Sequence, residues 1–342
     1  MFKTALRPLA FSAAILAGAA AALTGLLFVA VFGLLALATV VQVLLSLRER
    51  SGQDIDADAA RLRHQRQLDN QSLLRTSWIM ALVFWVGWAT GPRVAIVLFG
   101  LVSFFVLREF ISLSPTRRGD HRSLVLAFFV VLPVQYALVW TGQVALFTVF
   151  IPVYVFLAIP VVSALRNDPH RFLERNAKLQ WGIMVCVYGL SHVPALLLLE
   201  FPGWRGNTAF LVFFLVLVVQ TCMLVQHLAA RGLRRPVAPA ISDSFHWRSW
   251  GMGLLAGGLL GALLAGLTPF KPLPALAMAL VACVAGTLGH VVMKAIKRDR
   301  GVTHWGGASR SVTGAAGLLD RVDALCLAAP VFFHSVRWTF QL

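Results

Sequence analysis

The segment MKAIKRDRGVTHWGGASRSVTGAAGLLDRVD, from Met293 to Asp323, is the densest polar constellation in this chain of 342 residues. It carries six Lys or Arg and three Asp among scattered glycines, and the apolar run ALCLAAPVFFH follows at once. Asp320 and Asp323 therefore fall in, or just ahead of, the first turn of a helix, where carboxylates at i and i+3 share one face. Two carboxylates on one face can hold a divalent cation such as Mg2+, which keeps most of its waters and takes further oxygens from substrate phosphates. Lys297, Arg298 and Arg321 are placed to neutralise those phosphates, and the glycines let backbone N–H groups come close. The plainer reading of the same residues is a positively charged loop in which Asp320 caps a helix and Arg321 snorkels, with no metal.

A second polar stretch, RGLRRPVAPAISDSFHWRSW, begins at Arg231. Arg234, Arg235 and Ser242, together with Lys294 of the first stretch, are the candidates for substrate binding. They either meet the first cluster or anchor the helices on each side.

The elements that must position these residues are membrane helices. Hydrophobic residues make up 58% of the chain and charged residues 13%, against roughly 25% charged in soluble domains. Apolar runs recur along the whole length, and about 20 helical residues cross the hydrocarbon layer. Unbroken apolar runs exclude the alternating strands of a barrel, so the fold class is an all-α polytopic membrane bundle with ten or eleven transmembrane helices. The candidate spans are 8–26, 28–47, 76–91, 93–110, 123–140, 144–165, 179–199, 209–230, 249–268, 273–295 and 322–338. Lys3 and Arg7 ahead of an Ala-rich run would also suit a cleaved signal peptide, but a second span follows almost directly. The expected organisation is a hairpin over 1–47, a polar cytoplasmic linker over 48–75 and a main membrane domain over 76–342. Short loops near Gly91, Gly142, Gly203 and Pro269 make consecutive spans antiparallel neighbours.

The formal charge of +16 would suggest nucleic acid in a soluble protein. Here topology accounts for it. With the N-terminus inside, all but Arg93, Arg205, Lys271 and Arg337 of the 30 Lys and Arg fall on one side, and the positive-inside rule makes that side the cytoplasm. A multi-pass protein of the inner (plasma) membrane follows, with the polar stretches facing the cytoplasm and no nucleic-acid partner. Cys186, Cys222, Cys283 and Cys326 each lie inside a span without paired spacing, as small packing residues do. Glu109 and Glu200, at span ends, read as interfacial residues neutralised by Arg108 and Arg205. No span is expected to bury a carboxylate, which counts against a transporter.

The two polar stretches, in this order, resemble the phosphatidate cytidylyltransferase (CDP-diacylglycerol synthase) family. The likeness rests on Lys297–Arg298, on DRVDALCLAAPVFF from Asp320, and on REFISLSPTRRGDHR from Arg108, FIPVYVFLAIP and AKLQWGIMVCVYGLSH. It implies a membrane cytidylyltransferase that converts CTP and phosphatidate to CDP-diacylglycerol and pyrophosphate with Mg2+. It also implies catalytic roles for Lys297, Arg298, Asp320, Arg321 and Asp323, with metal on Asp320 and Asp323. A homodimer is compatible with it.

The chain departs from the family pattern at several places. Thr303 and His304 stand where the pattern has Lys-Asp, and Gly314, Ala315, Ala316 and Gly317 stand for Gly-His-Gly-Gly. An acidic position falls near Met223, and a Ser-Pro-x-Lys-Thr element becomes SDSFHW from Ser242. The alternative these changes favour is an inactive homologue that binds anionic lipid or scaffolds other lipid enzymes.

Overall fold

The computed structural model describes residues 25, 26, 28, 29, 32, 33, 35–44, 74, 75, 77–113, 117–202, 204, 207–233, 236–242, 245–302, 305 and 317–342. The signal-peptide alternative and nearly all of the first candidate span and of the 48–75 linker lie outside them. The chain divides into two compact units, Met1–Trp85 and Val86–Leu342.

In the first unit, helix Leu35–Leu44 meets Trp78, whose indole Nε1 donates to Thr39 Oγ1 at 3.1 Å and whose ring stacks on Phe32. Among its described residues the second unit contains eight long helices. We label them α1 (Pro92–Ser112), α2 (His121–Trp140), α3 (Val144–Ala164), α4 (Phe172–Leu198), α5 (Ala209–Ala230), α6 (Trp247–Leu267), α7 (Pro272–Asp299) and α8 (Leu319–Phe340). The first seven are long and apolar enough to cross a membrane. α8 has 22 residues and carries Asp320, Arg321, Asp323 and Arg337. With the shorter Leu35–Leu44 and Ser77–Thr90, these helices correspond one to one with the candidate spans from the second onward. The protein is a polytopic helical membrane protein, and the described residues contain no strand beyond one isolated bridge, Ala238 to Ser242.

Lipid offers a helix no hydrophobic reason to leave it, so helices associate where small residues let backbones approach. α6 presents Gly253, Gly257 and Gly261 at four-residue spacing, all buried. A Cβ on Gly257 would lie 2.5 Å from Cys283 Sγ of α7 and 3.1 Å from the Val218 carbonyl of α5. On α4, a Cβ on Gly189 would overlap the Cys326 carbonyl of α8. All four cysteines are free and buried in such contacts, as expected of packing residues. Prolines inside α2, α3 and α4 sit beside wide π-type turns at Ala127–Val131, Phe150–Val155 and Met184–Gly189. A proline ring displaces the carbonyl four residues back, and a wide turn accommodates it.

Antiparallel alternation brings the last turns of α1, α3, α5 and α7 and the first turns of α2, α4, α6 and α8 to one end, the basic end. A buried Arg175 of α4 fastens two loops there, with Nε 2.8 Å from Asp120 Oδ1 and Nη1 2.7 Å from Asp168 Oδ2. The His170 backbone N–H and the Arg175 guanidinium hold the Asp168 carboxyl below the usual range.

The α4–α8 contact gives a direct test. Gly189→Val should lower the thermal midpoint in detergent, since overpacking of this kind costs about 1–3 kcal/mol. An unchanged melting curve would mean that α4 and α8 do not touch at Gly189.

Candidate functional site

The polar end of α7 repeats basic side chains at His290, Lys294 and Lys297, an i, i+4, i+7 stripe on one face. α8 runs antiparallel beside it and opposes Asp320 and Asp323 to that stripe. Lys297 Nζ donates to Asp320 Oδ1 at 2.5 Å, and His290 Nδ1 donates to Asp323 Oδ2 at 2.7 Å. The remaining oxygens are also engaged: Asp320 Oδ2 accepts from the Trp305 backbone N–H at 3.1 Å, and Asp323 Oδ1 from that of Ala324 at 2.6 Å. Both carboxylates are nearly withdrawn from solvent, with side-chain exposures of 12% and 4%.

Around this core the structure gathers further cations and donors. Lys294 Nζ donates to Ser242 Oγ at 3.2 Å, which joins the two polar stretches. His227 of α5 lies within electrostatic reach of Arg231, Lys294 and His290. Arg298, the residue after the buried Lys297 on α7, is exposed. Arg321 is half-buried, and among the described residues its Nε–H finds no acceptor, nor does the buried Trp305 Nε1–H. Buried donors without acceptors are rare in native structures and mark places where a ligand or water completes the set. A site with surplus N–H donors and cations suits phosphate oxygens.

Of the residues singled out in the sequence, Lys297, Asp320, Asp323, Ser242 and Lys294 come together, with Arg321 beside them. Arg234, Arg235, Thr303, His304, Gly314, Ala315 and Ala316 lie outside the described residues. Asp320 does not act as the cap of α8, because its carboxylate turns to Lys297 and Trp305. Glu109 is met by backbone N–H groups rather than by an exposed arginine. It is buried at the end of α1 and accepts the backbone N–H groups of Gly317 and of Leu319, the latter at 2.8 Å. Buried carboxylates therefore do occur in the bundle, at Glu109 and Asp323, because each finds donors on another helix or on the backbone.

The sequence reading did not single out His290 or Trp305, and it set Glu109 apart from the site. His290 was detectable, since it stands one and two turns before Lys294 and Lys297. Glu109 and Trp305 carry no local signal, because their partners are distant in the chain.

The carboxylate pair bears on Mg2+. Among the described residues no group of three or more His, Cys, Asp or Glu converges. Asp320 and Asp323 supply oxygens on one helical face, each with a lone pair left over. That donor set fits an ion that keeps most of its waters and takes oxygens from phosphates, and it does not fit an all-protein cage.

The Lys297–Asp320 pair makes its own prediction. Lys297→Met should destabilise the protein by about 3 kcal/mol, because it leaves a carboxylate unpaired in a poorly solvated place. Adding Asp320→Asn should recover most of that loss in a double-mutant cycle. Strictly additive losses would show that the two side chains do not interact.

Comparison with known sequences gives the chain a family. A sequence model of the cytidylyltransferase family matches residues 72–339. The chain is also 32% identical over 317 residues to the uncharacterized protein YnbB of Escherichia coli (strain K12), covering 90% of this chain and 96% of that protein.

Proposed function

Because the chain belongs to the cytidylyltransferase family, we propose that it transfers the cytidylyl group of CTP to phosphatidate, giving CDP-diacylglycerol and pyrophosphate. The observation that carries this reading is the cation-rich cluster around Asp320 and Asp323. It spans the last two to three turns of α7 and about the first turn of α8, at the end of the bundle where a lipid phosphate would meet a nucleotide arriving from water.

In this reaction a phosphatidate phosphate oxygen attacks the α-phosphorus of CTP in line. The bond from that phosphorus to the α,β-bridging oxygen breaks, and pyrophosphate leaves with the electron pair. The chain contributes by positioning and by charge. Lys297 and Arg321 face the developing charge on the transferred group, Arg298 meets the phosphates at the exposed edge, and Lys294 with Ser242, and Arg234 and Arg235 of the same loop, bind the substrate anions. Asp320 and Asp323 are the residues that would hold Mg2+, whose contribution when bound is Lewis-acid polarisation of the phosphoryl oxygens.

A second reading has its own support. All four oxygens of Asp320 and Asp323 already accept hydrogen bonds from the protein, and residues 303–316 contain no carboxylate. A homologue that binds an anionic lipid without turning it over would keep the cations and need no metal.

Mass spectrometry of purified protein with CTP, phosphatidate and Mg2+ separates the two. The transferase reading expects CDP-diacylglycerol that disappears with chelator and falls at least about a hundredfold in Asp323→Asn, since one lost transition-state interaction of about 2.7 kcal/mol has that effect. Absence of product from folded, lipid-binding wild-type protein would favour the silent homologue.

Orientation is tested separately. By the positive-inside rule, the excess of Lys and Arg at the basic end supports an inner-membrane protein whose site faces the cytoplasm. A topology reporter fused after Trp140 should read outside and one fused after Arg235 inside. The reverse pattern would move the site away from the nucleotide pool.

A further inference from the structure

We infer that Glu109 is a positioning residue for cytidylyl transfer: from the end of α1 it holds the backbone entry to α8 and so sets Asp320 and Asp323 against Lys297 and His290. The inference rests on the transferase reading and deepens it.

The first N–H groups of a helix lack partners within it, and a Ser, Thr, Asp or Asn at the preceding position usually supplies one. α8 begins after Leu318, which offers no side-chain acceptor. Glu109 fills that role from more than 200 residues upstream: Oε1 accepts from the Gly317 N–H and Oε2 from the Leu319 N–H. Gly317 has φ +87°, a left-handed conformation that turns the chain into this cradle and that side chains with a Cβ resist. The positive end of the α8 dipole adds to the attraction for the carboxylate.

Phe110, the next residue of α1, reaches the other flank of the same segment. Its ring stacks on Trp305, centroids 5.5 Å apart, and the Trp305 backbone N–H donates to Asp320 Oδ2 at 3.1 Å. Two consecutive residues of α1 thus grip both sides of the stretch that ends in Asp320. A helix cap alone requires the first contact and leaves the second unexplained. Together they fix where Asp320 stands relative to Lys297, and a displacement of about 1 Å in such a constellation costs about a hundredfold in rate.

The test compares Glu109→Ala, Glu109→Gln and the exposed control Glu200→Gln with wild type. It uses steady-state kinetics, hydrogen exchange of the Gly317–Leu319 amides and thermal melting, all on full-length protein in detergent. Glu109→Ala should exchange those amides faster and lose about a hundredfold in kcat with KM for CTP near the wild-type value, because the groups displaced act in the transition state. Glu109→Gln, which keeps the shape and one acceptor oxygen, should fall between, and Glu200→Gln should match wild type. Wild-type kcat or unchanged exchange in Glu109→Ala would overturn the inference. So would equal damage to kcat, KM and melting, which is the mark of general destabilisation. Wild-type protein that makes no product sinks the transferase reading, and the exchange measurement then still decides whether Glu109 holds α8.

Discussion

A carboxylate removed from water must be met by a cation or by several N–H donors, because the low-dielectric interior otherwise drives it to take up a proton. Around the candidate site, three described carboxylates are in this position, and the local architecture is largely the set of answers to them. Asp320 is met by Lys297 and by the Trp305 backbone, Asp323 by His290 and the Ala324 backbone, and Glu109 by the start of α8. Each answer comes from a different stretch of chain than the carboxylate's own side chain, apart from the Ala324 N–H. The carboxylates therefore tie α1, α7 and α8 together.

These pairs form only if α7 and α8 lie close, and small residues make that possible. A Cβ on Gly289 would lie 2.6 Å from Leu327 Cβ, and one on Gly286 would lie 2.8 Å from Val219 Cγ1 and 3.5 Å from the Ala324 carbonyl. One turn further along α7 stands His290, at the depth of Asp323. Two turns beyond that stands Lys297, at the depth of Asp320. Glycine at the crossing and charge at its mouth belong to one device: the first sets the distance between helices, and the second uses it. The glycine stripe of α6 does the same for α5 and α7, so the helix that carries the basic face is clamped from both sides.

This explains what could be read from the sequence and what could not. The helices were legible because lipid imposes a single pattern, an apolar run about 20 residues long, whatever the helices pack against. The acidic pair on α8 and the basic pair on α7 were legible because their spacing alone puts them on helical faces. The glycine stripe of α6 and His290 had visible spacing as well, but neither declares its partner until the helices are assembled. Glu109 was misread for a physical reason. A Glu beside an Arg at a span end looks like a surface ion pair, whereas its actual partners are backbone N–H groups, which have no signature in the sequence. Trp305 was opaque in the same way, since its backbone rather than its indole meets Asp320.

The departures from the family pattern acquire a physical meaning once these contacts are known. With Thr303 and His304 in place of Lys-Asp, the described carboxylates that face the basic stripe are Asp320 and Asp323, and both already accept hydrogen bonds from it. In the proposed reaction an arriving phosphate competes with Asp320 for Lys297, and it offers Lys297 more negative charge than the carboxylate does. The exchange leaves Asp320 without its strongest donor in a place from which water is largely excluded, so the site then favours a replacement cation beside the same phosphate. The unpartnered N–H groups of Arg321 and Trp305 act in the same direction, since an acceptor-rich ligand ends their isolation. Ligand charge, rather than a preformed cage, is what this arrangement requires to complete itself.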